Sequence, residues 1–529
     1  MPNDRPPVIV VGGGLAGMAA AWRLAEADFD VTLFERLPRL GGKAGSKLPN
    51  EVAWGTVSDG NAHLGKGLPN RSDLFSDHGY HVFPRWYSNI RAVADELDFA
   101  SRLQPSSRMA TIRKPGDRRT FAKRYVEVLE TIRLFASVID LISRPDPQLK
   151  FLSLSAFLCS RWFNGASPVP GLDSFALRAL ATHGYDVSAK TTRQMLSQWV
   201  SKIWRHETWT SCQGSLQQTL IEPVHDAMKK AGCKIHFQHT LESLEFNGST
   251  ITRLEFSDHV ADRRFSLDTQ DTVLISALPP DVVVSFIDDR FYSIFPELHG
   301  LIKLRTMNSA GMDIHFNRRL EIPHGNGQHF SLHTSRWGLS GVDISDLWME
   351  ANLHKTVVQL VAGDVHLLTK HSDEHFATMV LNDFRDSVPF NDADVDHWVL
   401  HRNDTERLTL NEVGNWYIRP ETHSGRISNL YLAGDFVRSD IDVASMEGAW
   451  VTGINAAQSI CDDQKTGSRI PKEKSSHVSE RVRKVFVLIR YPIGFIALLT
   501  RANGAAGAGL LIAGVLAWYG IKAYFSANP

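Results

Sequence analysis

The sequence predicts an α/β protein: a parallel-sheet domain assembled from distant pieces of chain, interleaved with a mixed α+β region and followed by a C-terminal membrane helix. Three observations carry this. A strand, a glycine turn and a helix follow one another near the N-terminus; strand-like runs recur near residues 234, 272 and 430, that at 272–276 returning to the same sheet; and an uncharged stretch at 502–521 approaches the ~20 residues that cross a bilayer.

The first element is the run "VIVVGGGLAGMAAAWRLAEADFDVTLFE", residues 8–35. Residues 8–11 are a β-branched run suited to a buried parallel strand, and residues 18–27 read as an alanine-rich helix. Between them lie Gly12, Gly13, Gly14, Leu15, Ala16 and Gly17. Gly12 permits a tight turn, Gly14 lets backbone approach a pyrophosphate, and Gly17 lets helix and strand pack closely. The helix start offers N–H groups to the anion. A second strand, residues 31–34, ends in Glu35, about 20 residues on, where a Rossmann-type fold places its ribose-binding carboxylate. Arg36 follows as a further candidate contact, and "RLPRLGGKAGS" adds a second glycine pair with Gly42, Lys43 and Ala44. The loop alone does not separate FAD from NAD.

Further along, "GSLQQTLIEPVHDAMKKAGCKIHFQHTLESLEF" reads as a helix over 216–230, a strand from 234 and another from 241. Residues 272–276 read as a strand before a Pro-Pro break, and 430–432 as a strand that meets Gly434 and Asp435. Residues 105–210 carry apolar residues at helical spacing, as in "YVEVLETIRLFASVIDLI".

Composition narrows the function classes. With 57 basic against 58 acidic residues the net charge is -1, which gives no footprint for nucleic acid. The 4 cysteines form no C-x-x-C pair, so neither a metal cluster nor a disulfide framework is expected, and a reducing compartment fits. His78 and His81 have no further ligand fixed nearby, so no metal site is expected. No paired-carboxylate or Ser-His-Asp constellation stands out, and no catalytic residue is assigned.

The glycine loop, "SDHGYHVFPRWYSNIRAVADELDF", "KLRTMNSAGMDIHFNRRL" and the late "NLYLAGDFVRSDIDVASMEGAWVTG" together resemble the FAD-dependent amine oxidase superfamily, and within it the plant and cyanobacterial carotenoid (phytoene and zeta-carotene) desaturases. The resemblance spans most of residues 8–460. It implies FAD as cofactor, flavin contacts at His81, Val82 and Tyr87, an apolar wall near the adenine at Leu241, and Asp435 at the flavin ribityl or beside the pyrophosphate. It also implies that backbone N–H groups at Met446 and Glu447 face the isoalloxazine carbonyl. The FAD-binding domain is then expected in three parts, 1–104, 211–290 and 416–462, with a helical lid at 105–210 and a substrate domain at 291–415.

Residues 463–500 read as a basic linker and interfacial segment, and 501–525 as the membrane helix. Five basic residues before the span and Lys522 after it place the catalytic body on the cytoplasmic side. A bilayer anchor suits a polyisoprenoid substrate, because hundreds of Å² of apolar surface, at roughly 25 cal/mol per Å², resist passage through water. The expected reaction is desaturation or dehydrogenation of a lipophilic carotenoid or squalene-type isoprenoid by hydride transfer to flavin N5. Membrane lipid, and quinone or oxygen as electron acceptor, are the expected partners. The alternatives are an amine oxidase, a flavin-dependent polyene isomerase or saturase, and a non-enzymatic isoprenoid carrier resembling the Rab GDP-dissociation inhibitors.

Overall fold

The computed structural model describes residues 5–67, 75–106, 109–117, 121–164, 176, 179–180, 182–202, 208–323, 329–348, 355–363, 365, 368–402 and 407–502. The chain forms two compact units, one of Met1–Pro115, Lys202–Leu410 and Asn415–Ser476, the other of Gly116–Ser201, Asn411–Gly414 and His477–Pro529.

In the first unit the strand Val8–Val11 sits in the middle of a five-stranded sheet, in the order Leu430–Leu432, Val273–Ser276, Val8–Val11, Val31–Glu35, Lys234–Phe237. Every pairing in it is parallel. All four residues of the central strand are buried, as a β-branched run covered on both faces must be. The helix Leu15–Glu26 crosses from the first strand to the second, and the late helix Met446–Asp463 packs on it. Gly453 makes that approach possible, since a Cβ there would lie 2.2 Å from the Ala16 carbonyl oxygen. Trp22 and Trp450 close the contact edge to face.

A second sheet of eight strands belongs to the same unit. Its central strand Ala310–Phe316, sequence AGMDIHF, is buried at every position, but its residues alternate in chemistry. Met312, Ile314 and Phe316 join Leu360, Trp398 and Leu400 in an apolar layer under the helix Asp373–Arg385. Asp313 and His315 point to the other face, as a period of two requires. There Asp313 lies opposite Gln359 and one row from His401, which pairs with Gly311. Loop residues 78–79 cover this face so closely that a Cβ at Gly311 would lie 2.2 Å from the His78 carbonyl oxygen.

The second unit is helical. The helix Phe121–Ser143 packs against the helix Glu480–Ala502, with Ala136, Phe163 and Ala497 at the contact. Residues 485–500, part of the expected interfacial segment, lie in one continuous helix that runs through Pro492. The expectation of a single-pass C-terminal membrane anchor, and with it the cytoplasmic orientation, is overturned. Among the described residues no helix is long and apolar enough to cross a membrane. In the C-terminal helix that is described, Arg481, Arg483, Lys484, Arg490 and Arg501 interrupt the apolar residues of Glu480–Ala502. The rest of the expected span, residues 503–525, lies outside the described residues.

Candidate functional site

The glycine loop is built as its spacing requires. Gly12 has φ +106°, and a Cβ there would lie 2.8 Å from the Ala277 carbonyl oxygen. At Gly17 a Cβ would stand 1.9 Å from the Gly12 oxygen, so helix and strand touch backbone to backbone. Gly14 differs. A Cβ there would meet nothing nearer than the Gly42 Cα at 4.0 Å. This opening lies over the start of a helix that carries Leu15 and Ala16 in its first turn, with no side-chain cap and no acidic residue there. The N–H groups of such a terminus receive an anion, so the residues present fit a dinucleotide.

Glu35 is buried, and its two carboxylate oxygens accept from Gly13 N at 2.6 Å and Leu37 N at 2.8 Å. Burial raises its pKa against those two bonds. The carboxylate therefore braces the glycine turn from within, with lone pairs left over for a further donor. Arg36 beside it is exposed.

The second glycine loop docks on the first. Gly41 N donates to the Gly13 carbonyl at 2.8 Å, and a Cβ at Gly42 would lie 3.0 Å from the Gly14 Cα. Lys43 and Asp435, 392 residues apart, meet beside it: Lys43 Nζ lies 3.3 Å from Asp435 Oδ2, and Thr409 Oγ1 donates to Asp435 Oδ1 at 3.0 Å. Gly434 N donates to Thr452 Oγ1 at 2.9 Å, tying this turn to the late helix, while buried Ala44 anchors the short turn Gly42–Ala44.

His81 and Val82 lead into the strand Val82–Pro84. His81 Nδ1 lies 3.4 Å from Asp77 Oδ2, and His78 meets the His81 ring edge-on with centroids 4.7 Å apart. Burial first, then the charges of His81, His401 and Lys47, hold the His78 pKa well below its ordinary value. Asp77 also accepts from Ser46 of the second glycine loop and from Leu216 N at 3.2 Å, so it joins three chain segments. Among the described residues no group of three or more His, Cys, Asp or Glu could hold a metal ion.

Tyr87 and Met446 are brought together in an unexpected way. The Tyr87 hydroxyl is hydrogen-bonded to Ser445 and to the Met446 backbone, and burial raises its pKa. Tyr87 thus sits against the start of the late helix, where Gly448 N donates to the N-cap Ser445 Oγ at 3.1 Å. Glu447, fully buried, accepts from Asn89 N at 2.8 Å, Asn89 Nδ2 at 2.9 Å and Ile90 N at 3.1 Å, and so caps the helix Ser88–Glu96. Burial pushes its carboxyl up to about 7.

Leu241 lies on the strand His239–Phe246 and lines an apolar cavity of about 50 Å³ with Val11, Leu274, Leu278 and Leu432.

Residues that sequence reasoning missed lie on the inner face of the large sheet. Ser76 Oγ donates to Asp313 Oδ2 at 2.5 Å and lies 2.6 Å from His401 Nε2. Trp209 Nε1, which can only donate, points at His329 Nδ1 at 3.1 Å and so leaves the proton of that neutral ring on Nε2. The available signal was the alternation in AGMDIHF, where Asp and His stand between buried apolar residues.

This split nucleotide domain with a second sheet defines a flavoprotein-type architecture. Cyclohexylamine oxidase from Brevibacterium oxydans shares it, with TM-score 0.58 and 14% identity over 87% of this chain and 100% of that one, which fixes an amine oxidase-like α/β FAD-binding fold. The family model described as flavin containing amine oxidoreductase matches residues 15–461, and the chain belongs to that family. It is a flavin-dependent oxidoreductase. Zeta-carotene desaturase of Synechocystis sp. is 23% identical over 508 residues, covering 86% of this chain and 97% of that protein. Carotenoid phi-ring synthase of Streptomyces griseus is 40% identical over 96 residues, only 18% of this chain and 15% of that protein.

Proposed function

We propose that this chain uses FAD to desaturate or dehydrogenate a lipophilic polyisoprenoid, a carotenoid or a squalene-type precursor. The observation that carries this reading is the end-to-end match to zeta-carotene desaturase, 86% of this chain on 97% of the relative. The likeness to an amine oxidase, at 14% identity, concerns the fold alone.

FAD, when bound, supplies the acceptor for a hydride drawn from an allylic carbon. The residues that hold it are Gly12 to Gly17 at the pyrophosphate, Glu35 and Arg36 near the ribose, and Gly42, Lys43, Ala44, Gly434 and Asp435 around the second loop. His81, Val82, Tyr87, Leu241 and Met446 complete the set, Tyr87 and Met446 by fixing the start of the late helix. Lys43 is suited to answer phosphate charge, and Asp435 and Thr409 keep its ammonium in place while the site is open.

Substrate is taken from lipid by the helical unit. On the helix Glu480–Ala502, Val485, Leu488, Tyr491 and Phe495 recur at helical spacing and are exposed, Leu488 at 74%. Arg481 and Lys484 flank them. An exposed apolar stripe with basic neighbours suits the surface of an anionic bilayer, without crossing it. Quinone or oxygen takes the electrons onward.

The test is an absorption spectrum of detergent-purified protein, followed by anaerobic addition of phytoene-type and squalene-type polyenes and of a panel of amines. Bleaching of the flavin by a polyene, with a product lighter by two hydrogens, is expected. Bleaching by amines alone would replace this reading with amine oxidation, and a product of unchanged mass would replace it with isomerisation.

A further inference from the structure

We propose that His401, Ser76 and Asp313 form a buried proton relay that takes up the proton released when the substrate gives up its hydride. This rests on the reaction proposed above. Removal of two hydrogens from neighbouring carbons frees one hydride, which carries the bonding electron pair to the flavin, and one proton.

The relay is a chain of two short hydrogen bonds between three side chains, each at least nine-tenths buried. Ser76 Oγ is 2.6 Å from His401 Nε2 and 2.5 Å from Asp313 Oδ2. A hydroxyl has a single proton, so when Ser76 donates to the Asp313 carboxylate its oxygen must receive Nε2–H from His401. This leaves His401 Nδ1 as a bare acceptor, and that atom is buried with no hydrogen-bond partner among the described residues. An unsatisfied buried acceptor costs about 1–3 kcal/mol unless something donates to it. The arrangement is a wire whose open end lacks a proton.

The proton balance closes. A proton arrives at His401 Nδ1; Nε2–H passes to Ser76 Oγ; the former Ser76 proton passes to Asp313 Oδ2. At the end Asp313 is a neutral acid, Ser76 is again a hydroxyl, and His401 is the other neutral tautomer. Return of the proton to solvent resets the chain.

The surroundings suit each station. Asp313 is pushed up to about 7, first by burial, with Ser76 opposing, Asp77 adding and Gln359 opposing, so near neutrality it is poised to accept. His401 is held down at about 3, first by burial and then by Lys47 and Arg39, so it carries protons through without retaining charge. His78 also faces it across the covering loop. The relay adjoins the candidate cofactor site: Asp77, next to Ser76, binds Ser46 of the second glycine loop and contacts His81.

The test combines infrared titration of the flavin-loaded protein without substrate with the pH profile of turnover. Carboxylic-acid C=O absorption that fades as pH rises through about 7 is expected in the wild type; Glu447 contributes part of it in the same range, and Asp313→Asn should remove the other part. With substrate, kcat should rise across the same range, and in both Asp313→Asn and His401→Gln it should fall about 100-fold, the low end of general acid–base contributions, with KM and flavin content little changed. The pH-dependent limb should vanish with it. Titrating C=O absorption of full wild-type intensity in Asp313→Asn, or folded variants with wild-type kcat and pH profile, would overturn the relay. Failure of the polyene reading instead leaves the infrared band in place while no polyene bleaches the flavin, so the two failures are distinguishable.

Discussion

A side chain at Gly14 would point into space that no protein atom occupies within 4.0 Å, whereas one at Gly17 would stand 1.9 Å from a carbonyl oxygen. The two glycines of one loop should therefore fail differently. Gly14→Val is expected to give folded but colourless protein, because the branched side chain fills the pyrophosphate's place. Gly17→Ala is expected to give little soluble protein, since that overlap exceeds the ~1–3 kcal/mol of ordinary overpacking. Flavin absorbance and thermal melts of the two variants check this; a yellow Gly14→Val protein would remove the cofactor assignment. These roles were legible in the sequence because strand, turn and helix are local. The Glu447 cap was not, since its partner Asn89 lies 358 residues away. Nor was the Ser76 pair with Asp313 and His401, at separations of 237 and 325 residues.

At the scale of elements, the strands at 8–11, 234–237 and 430–432 were readable from short apolar runs between turn signals, and the sheet joins them in parallel. Residues 463–500 read as a linker and interfacial segment, and the part from 480 on is one helix, Glu480–Ala502, that runs through Arg490 and Pro492. In the structure the Arg490 guanidinium donates to Ser143 Oγ at 3.3 Å, so the charge lies along a neighbouring helix. Gly494 lets Trp162 and Phe163 approach closely, a Cβ there lying 2.8 Å and 2.9 Å from their rings. One face of the helix is thus packed and the other carries Leu488 and Phe495. Replacing both with Glu is expected to weaken binding to anionic liposomes at least tenfold, since two large apolar side chains contribute about 1.5–3 kcal/mol each when buried. Flavin content should not change. Co-sedimentation that is unaffected by the double variant would show that this face does not meet lipid.

For the whole molecule, buried acids and buried histidines set how stability follows pH, in opposite senses. Asp313 and Glu447 both titrate at about 7 in the folded chain, raised from ordinary carboxylate values chiefly by burial. Between those ordinary values, near 4, and 7, the folded chain holds protons that the unfolded chain has released. Stability from these two groups is therefore fully present below the unfolded pKa and is lost as pH rises through the folded one. The surface carboxylates Asp288 and Asp394 work in the opposite sense, each held below its ordinary value mainly by an arginine, Arg290 and Arg318 respectively, but they are scarcely buried and screened by salt. His78, His329 and His401, whose pKa values burial lowers, add stability as pH rises over the same range. The contribution of the acids is therefore read as a difference: relative to Asp313→Asn, the wild type is expected to lose melting temperature between pH 5 and pH 8, because an amide in the same place has no proton to lose. The same pH dependence in wild type and variant would mean that Asp313 is ionised in the folded chain, with its hydrogen-bond donors outweighing burial.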